Sequence, residues 1–96
     1  MENVVYIIKE MILIDKHDMV DADIFTAFKT KKGALEKIDT LKDKYLKIIT
    51  DKFNEDMKLN EDIVDEVDTV EWEGLIDISY VEYFYRAEMY ELTLND

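Results

Sequence analysis

The sequence predicts an α+β protein in which one long amphipathic helix packs across one face of an antiparallel sheet. Two β-branched and aromatic runs precede a stretch with helical periodicity, and further strand-like runs follow it. The chain has 96 residues, of which 48% are hydrophobic. This length and composition predict a single domain, residues 1–96, with one modest core. The predicted order is β-β-α-(short α)-β-β, with about four strands in the sheet.

The first two strands are predicted to form a hairpin. Residues 4–14 are rich in β-branched side chains and carry apolar residues at both alternating parities. This pattern favours a strand covered on both faces over a segment of helix. Residues 22–29 alternate in the manner of a second strand, and the polar residues 15–18 are predicted to connect the two.

The helix is predicted from a change in the spacing of the apolar residues, which begins at Lys31. From there, apolar residues recur every three or four positions for about six turns, which is typical of a helix with one buried face. The stripe includes Ala34, Ile38, Leu41, Tyr45 and Ile48. Thr30 precedes it as the natural N-cap. Residues 54–60 are interpreted as a polar connection, and residues 61–67 as a short second helix capped by Asn60.

The C-terminal part is again strand-like. Between positions 70 and 80, one parity is apolar and the other is polar. The apolar set is Val70, Trp72, Ile76, Ile78 and Tyr80, and the polar set is Glu71, Glu73, Asp77 and Ser79. Glu73 and Gly74 indicate either a turn or a bulge within this stretch. Residues 83–94 predict a long final strand with aromatic residues on both faces.

The formal charge of −12 is carried entirely by the second part of the chain. Residues 1–54 contain ten acids and ten lysines, whereas residues 55–96 contain fourteen acids and only Lys58 and Arg86 as cations. A strong negative field attracts basic surfaces and repels nucleic acid and anionic membranes. The charge therefore predicts a basic protein partner, with no direct binding to nucleic acid or membrane.

The acidic stretch supplies the first set of candidate binding residues. Continuous strand parity would place Glu71, Glu73 and Asp77 on one face, with about 6.6 Å between alternate positions. A partner rich in lysine and arginine would relieve the repulsion among them, while a merely solubilising surface is the alternative interpretation. The candidate acidic residues are Glu61, Asp62, Asp65, Glu66, Asp68, Glu71, Glu73 and Asp77.

Aromatic residues that alternate with these acids supply the second set. Tyrosine and tryptophan are enriched in protein interfaces because they bury a large rigid area and keep a polar group. The candidates are Trp72, Tyr80, Tyr83 and Tyr85. One face of the last strand packs under the helix, and the other forms an interface or a second core layer. Homodimerisation through the sheet is the simplest form of the interface.

Catalytic and metal-binding patterns have little support in this sequence. The chain has no cysteine, and His17 and Ser79 are its only histidine and serine, placed in a predicted turn and a predicted strand. Acids crowd around His17, but their spacing matches no EF-hand, and a polar hairpin tip is the favoured interpretation. The acids in question are Asp15, Asp18, Asp21 and Asp23. The sequence predicts neither an enzyme nor a cofactor or metal site.

A cytoplasmic location is predicted from the N-terminal region. No basic segment precedes the apolar residues 4–14, and Lys9 and Glu10 interrupt them. This run is also shorter than the roughly 20 apolar residues that a membrane span needs.

Residues 28–38, Phe-Lys-Thr-Lys-Lys-Gly-Ala-Leu-Glu-Lys-Ile, resemble a strand-to-helix junction found in many small proteins of Firmicutes and their phages. In size, acidity and composition the chain also resembles small phage-encoded anti-defence proteins, a group that includes anti-CRISPR and anti-restriction proteins. Several of these mimic DNA with carboxylates. The resemblance implies that the candidate acidic residues would occupy the phosphate-binding groove of a partner such as a Cas nuclease.

The sequence thus predicts a non-enzymatic binding protein whose acidic C-terminal half engages a basic surface, most sharply as a DNA-mimic inhibitor. The alternative is a small structural or assembly protein that self-associates through its aromatic C-terminal strand. In that case the acidity serves only solubility.

Overall fold

The computed structural model describes residues 3–13, 24–59, 66–81 and 83–94. These residues form five strands and one helix. In chain order they are β1 (Asn3–Leu13), β2 (Ile24–Phe28), α1 (Lys31–Leu59), β3 (Asp68–Trp72), β4 (Leu75–Tyr80) and β5 (Tyr83–Leu94). The predicted α+β class, with one helix and an antiparallel sheet, is confirmed. The sheet has five strands instead of about four because the chain turns at Glu73 and Gly74.

This turn settles the choice between a hairpin and a bulge. Gly74 has φ +79°, the left-handed value that a type II turn requires at its third residue. Its carbonyl accepts a hydrogen bond of 2.7 Å from the amide of Met89 on β5. Trp72 pairs directly with Leu75 across the turn, so the parity of the side chains reverses at this point.

The strand order in the sheet is β2-β1-β5-β4-β3, and every neighbouring pair is antiparallel. The two longest strands, β1 and β5, lie side by side and pair over eleven residues, from Asn3 with Leu94 to Leu13 with Phe84. The helix packs over β1, β2, β4 and β5 on one side of the sheet.

The hydrophobic core lies between the helix and this side of the sheet. The sheet contributes Ile8, Ile76, Ile78, Tyr80, Tyr85 and Ala87. The helix contributes Ala34, Ile38, Leu41, Tyr45 and Ile49. The predicted stripe is therefore the buried one, except that Ile49 is fully buried while its neighbour Ile48 is half-buried.

The N-terminus of the helix is capped as predicted. The amide of Gly33 donates a 3.0 Å hydrogen bond to Oγ1 of Thr30, which satisfies one of the free amides of the first turn. The predicted end of the helix is wrong, because residues 54–59 continue it instead of forming a connection. Polar residues are compatible with the solvent side of a helix, and Asp56 anchors this last part by accepting a 3.0 Å hydrogen bond from the hydroxyl of Tyr80.

The predicted short helix at 61–67 lies mainly outside the described residues, and Glu66 and Val67, which are described, are not helical. The predicted hairpin connection at 15–18 also lies outside them. Across the described ranges, no helix combines the length and apolar character that a membrane crossing requires.

Candidate protein-binding interface

The face of the sheet opposite the helix is covered by no helix or strand of the described residues. Directly paired residues of neighbouring strands project from the same face, so the register of the sheet defines this surface. The open face consists of the odd-numbered residues of β1, β2 and β4 and the even-numbered residues of β3 and β5. In a protein with one helical layer, the uncovered face of the sheet is normally polar, and among the described residues this face is not.

The open face is largely apolar. Trp72 and Phe25, on the two edge strands, leave 69% and 62% of their surface exposed. Val70, Tyr90, Leu92 and Leu94 are also exposed on this face, while Val5, Ile7, Met11, Leu13, Leu75 and Phe84 are half-buried. Contiguous apolar surface of this extent on a small protein marks an interaction site more often than a solvent-facing surface.

Most charged residues of the open face lie in its middle, where they balance one another, and Asp68 lies at the end of the edge strand β3. Lys9 of β1 is directly opposite Glu88 of β5. Nε of Arg86 lies 2.5 Å from Oε1 of Glu88 and forms an ion pair with it, although the angles are not those of a hydrogen bond. Nη1 of Arg86 is 4.0 Å from Oδ2 of Asp77. The hydroxyl of Tyr90 also donates a hydrogen bond to Glu88. The hydrogen bond from Tyr90, together with the charges of Arg86 and Lys9, lowers the pKa of Glu88 against the opposing effect of burial.

The opposite face buries one carboxylate, that of Glu10, which is 6% exposed. The hydroxyl of Tyr85 donates a 2.7 Å hydrogen bond to it, and the ring of Tyr45 stacks on that of Tyr85 with centroids 3.7 Å apart. Burial, and then the hydrogen bond to Glu10, raises the pKa of Tyr85 above its usual value. This pair holds the centre of the core in one arrangement and does not reach the open face.

The structure does not bring the candidate acidic residues together on one surface. Glu71 and Glu73 face the helix and form ion pairs with Lys42 and Lys31, each with an N–O distance of 2.6 Å. The hydrogen bond from Lys31 lowers the pKa of Glu73, and that pair raises the pKa of Lys31. Glu71 and Glu73 are thus compensated by lysines from the neutral part of the chain.

Asp77 lies on the open face, so the prediction that it shares a face with Glu71 and Glu73 is wrong. The cause is the turn at Gly74, which reverses the parity between β3 and β4. Glu66 and Asp68 are exposed and form no ion pair within the described ranges. Glu61, Asp62 and Asp65 lie outside the described residues.

The four candidate aromatic residues are divided between surface and core. Trp72 is exposed on the open face, as an interface residue should be. Tyr83 is half-buried on the helix side, where it stacks on Tyr80 and lies under Nζ of Lys52. The prediction of Tyr80 and Tyr85 as partner-binding residues is wrong, because both are buried beneath the helix with 2% and 0% of their surface exposed.

Sequence reasoning missed several open-face residues, notably Phe25, Tyr90 and Leu92. The signal was present in β5, where aromatic and aliphatic residues occupy both parities of one strand. A strand with only one covered face does not need the second set, and for this reason the sequence predicted an interface or a second core layer on one face of β5. The sequence could not show which parity the helix covers.

The described residues hold no cluster of three or more side chains able to ligate a metal. Ser79 lies on the open face between Asp68 and Phe84, while His17 and the acids around it are outside the described residues. A groove of about 390 Å³ runs between the helix and the β3–β4 turn. It is open along its length and is lined by Leu35, Ile38, Asp39, Glu71, Trp72, Glu73, Gly74 and Leu75, so it does not enclose a small molecule.

No protein-family model matches the chain, and comparisons with curated proteins and with solved structures find no match.

Proposed function

We propose that the protein is a non-enzymatic assembly module that self-associates through the open face of its sheet. The observation that supports this function is the apolar character of that face, which the helix leaves uncovered. Burying it would give the sheet a second packed layer, as in a β-sandwich, where two sheets pack about 10 Å apart.

The area of the open face is sufficient for a dimer. Each residue of a sheet covers roughly 16 Å² of each face, from a rise of about 3.3 Å and a strand separation of about 4.8 Å. The five strands therefore present roughly 600 Å², and specific interfaces bury about 600–1,000 Å² on each partner. The face alone thus meets the lower limit of a stable interface.

Electrostatics favours a second copy of the chain over a charged partner. Lys9 and Arg86 balance Asp77 and Glu88 on the open face, and Asp68 leaves this surface with a net charge of −1, although the whole chain carries −12. Two copies repel each other mainly through their net charge and only weakly through the surfaces in contact. Because salt screens the long-range repulsion, with a Debye length of about 30 Å at 0.01 M and 8 Å at 0.15 M, self-association should strengthen as salt is added.

The test compares the same substitution at two exposed leucines. Leu92→Lys places a charge on the open face, whereas Leu59→Lys places it at the end of the helix, where the leucine is 86% exposed. Sedimentation equilibrium should show a dimer for the wild-type protein and the Leu59→Lys control, and a monomer for Leu92→Lys. A wild-type monomer at high concentration and physiological salt would contradict the proposal.

A second candidate is that the acidic part of the chain binds a basic protein, as a DNA-mimic inhibitor does. It is favoured by the net charge of −12 and by the exposure of Glu66 and Asp68 without ion pairs in the described ranges. The ion pairs of Glu71 and Glu73 weaken it, because those carboxylates already have cations.

Its test is capture from a bacterial lysate with competition by duplex DNA. A captured nucleic-acid enzyme should be released by salt or DNA and lost with Glu66→Lys plus Asp68→Lys. The matched control, Asp43→Lys plus Glu55→Lys on the exposed side of the helix, should retain it. Capture that DNA does not compete would count against mimicry.

A further inference from the structure

We propose that the dimer is a face-to-face pair of sheets whose two-fold axis runs along the strands, between β1 and β5, and passes beside Lys9 and Glu88. In this arrangement Lys9 of each copy contacts Glu88 of the other. The inference rests on the proposed self-association and assigns the register in which the two open faces meet.

The pairing of β1 with β5 makes the open face complementary to itself about this axis. A two-fold rotation places each residue of β1 over the residue that is its cross-strand neighbour in β5, so each pair must be compatible with its own rotated copy. Val5 and Leu92 are both apolar, as are Ile7 with Tyr90 and Leu13 with Phe84. Met11 meets Arg86, whose alkyl chain can cover it.

The one pair of opposite charges falls at the centre of this arrangement. Lys9 and Glu88 lie near the middle of the two longest strands. Packed sheets are rotated by about 30° relative to each other, so residues near the crossing point stay in register while distant ones shift. A crossing at Lys9 and Glu88 therefore preserves both charge contacts and lets the apolar ends adjust, since apolar packing tolerates such a shift.

Two other axes along the strands fit less well. An axis through β5 itself would place Glu88 over Glu88 of the second copy, which is a like-charge contact. An axis between β4 and β5 would bring Arg86 to Asp77, but β4 ends at Leu75, which is opposite Glu88. Tyr90 and Leu92 would then have no strand facing them, and neither would β2. The axis between β1 and β5 leaves the five-residue edge strand β3 without a facing strand but covers Tyr90 and Leu92.

The experiment mixes two single variants that should each fail to dimerise alone. Lys9→Glu leaves carboxylates at positions 9 and 88, and Glu88→Lys leaves two ammonium groups there. Each homodimer should be weakened at least about tenfold, because both intermolecular contacts become repulsive. In an equimolar mixture, every contact across the axis again joins opposite charges. Native mass spectrometry, with one variant ¹⁵N-labelled, should show a restored heterodimer although neither chain regains its own internal pair.

The control mixture carries the same charge changes away from the open face. Lys47→Glu and Glu55→Lys lie on the exposed side of the helix. Alone they should dimerise like the wild-type protein, and in mixture they should form hetero- and homodimers in statistical proportion. Statistical mixing of the position 9 and 88 variants, or their remaining monomeric in mixture, would overturn the register.

Two further measurements test the register even if the single variants fail to fold. The double variant Lys9→Glu with Glu88→Lys keeps one opposite-charge pair, so it should dimerise with itself and exclude the wild-type chain. Carbodiimide treatment of a ¹⁴N/¹⁵N mixed wild-type dimer should also give a Lys9–Glu88 link between chains, and its absence would count against the register. A wild-type monomer, or a dimer that Leu92→Lys leaves intact, would instead remove the proposed function itself.

Discussion

The hydrogen bond between Tyr85 and Glu10 gives the sharpest test of what stabilises the fold. Tyr85→Phe keeps the ring that stacks on Tyr45 but removes the hydroxyl that donates to the Glu10 carboxylate. Glu10 is 6% exposed, so water cannot readily replace the lost donor. A buried polar group that loses its partner bears its full desolvation penalty.

The expected cost follows from the type of bond. Hydrogen bonds to charged groups contribute about 1.5–3 kcal/mol, so Tyr85→Phe should lower the free energy of unfolding by about 2 kcal/mol. For a domain of this size that lowers the melting temperature by on the order of 10 °C. Tyr83→Phe is the matched control on the same strand, because the Tyr83 hydroxyl makes no hydrogen bond within the described ranges. It should change stability by less than about 0.5 kcal/mol.

The assay is urea unfolding followed by circular dichroism, at one protein concentration because self-association would add to the apparent stability. The pKa of Tyr85 is raised in the folded state, so its contribution is complete below pH 10, the ordinary tyrosine value, and is lost as the pH rises above it. The wild-type protein and Tyr83→Phe should therefore lose more stability above pH 10 than Tyr85→Phe does. A cost below about 0.5 kcal/mol for Tyr85→Phe would contradict this role of the hydroxyl, since it would mean that Glu10 finds another donor.

Three further outcomes are expected. Thr30→Ala should lower the free energy of unfolding by about 1 kcal/mol, because it removes the N-cap. Thr40→Ala, in the middle of the helix, should be neutral or stabilising, and thermal melts compare the two variants. Val81→Gly should stabilise the fold by about 0.5–1 kcal/mol, because Val81 has φ +55° and is exposed, and an unchanged urea midpoint would contradict this. The pKa of Glu88 is lowered in the folded state, so its contribution is present above pH 4.5, the ordinary glutamate value, and is lost as the pH falls below it. Glu88→Gln should show a shallower loss of stability in that acid range.

The helix and the class of fold could be predicted because they depend on local signals. The period of the apolar residues after Lys31 identifies a helix whatever it packs on, and Thr30 supplies the cap that fixes its start. The end of the helix could not be read in the same way. Residues 54–59 are mostly polar and continue no apolar stripe, and their contact with the rest of the fold, a hydrogen bond from Tyr80 to Asp56, joins residues distant in sequence.

The candidate site was harder to predict because it depends on which face each residue joins. The turn at Gly74 makes two strands of the stretch from 70 to 80. It thereby determines which face of the sheet the acids before and after it occupy. Opposite charges that are far apart in the sequence also meet in space, as Lys42 and Glu71 do. A charge count along the chain cannot show this pairing, so the acidic half appeared more uniform than it is.

The position of β5 in the sheet has a consequence for folding during synthesis. Of the five described strands, β5 emerges from the ribosome after the other four but lies between β1 and β4, so the ladder between β1 and β5 cannot form until β5 is made. Until residues 83–94 emerge, β1 has only β2 to pair with, and the apolar underside of α1 lacks Tyr85 and Ala87. Contacts between such distant segments slow folding, because a long loop must close before they are made. Nascent chains stalled before β5 should therefore bind chaperones, and release of the twelve residues of β5 should complete the sheet in one cooperative step.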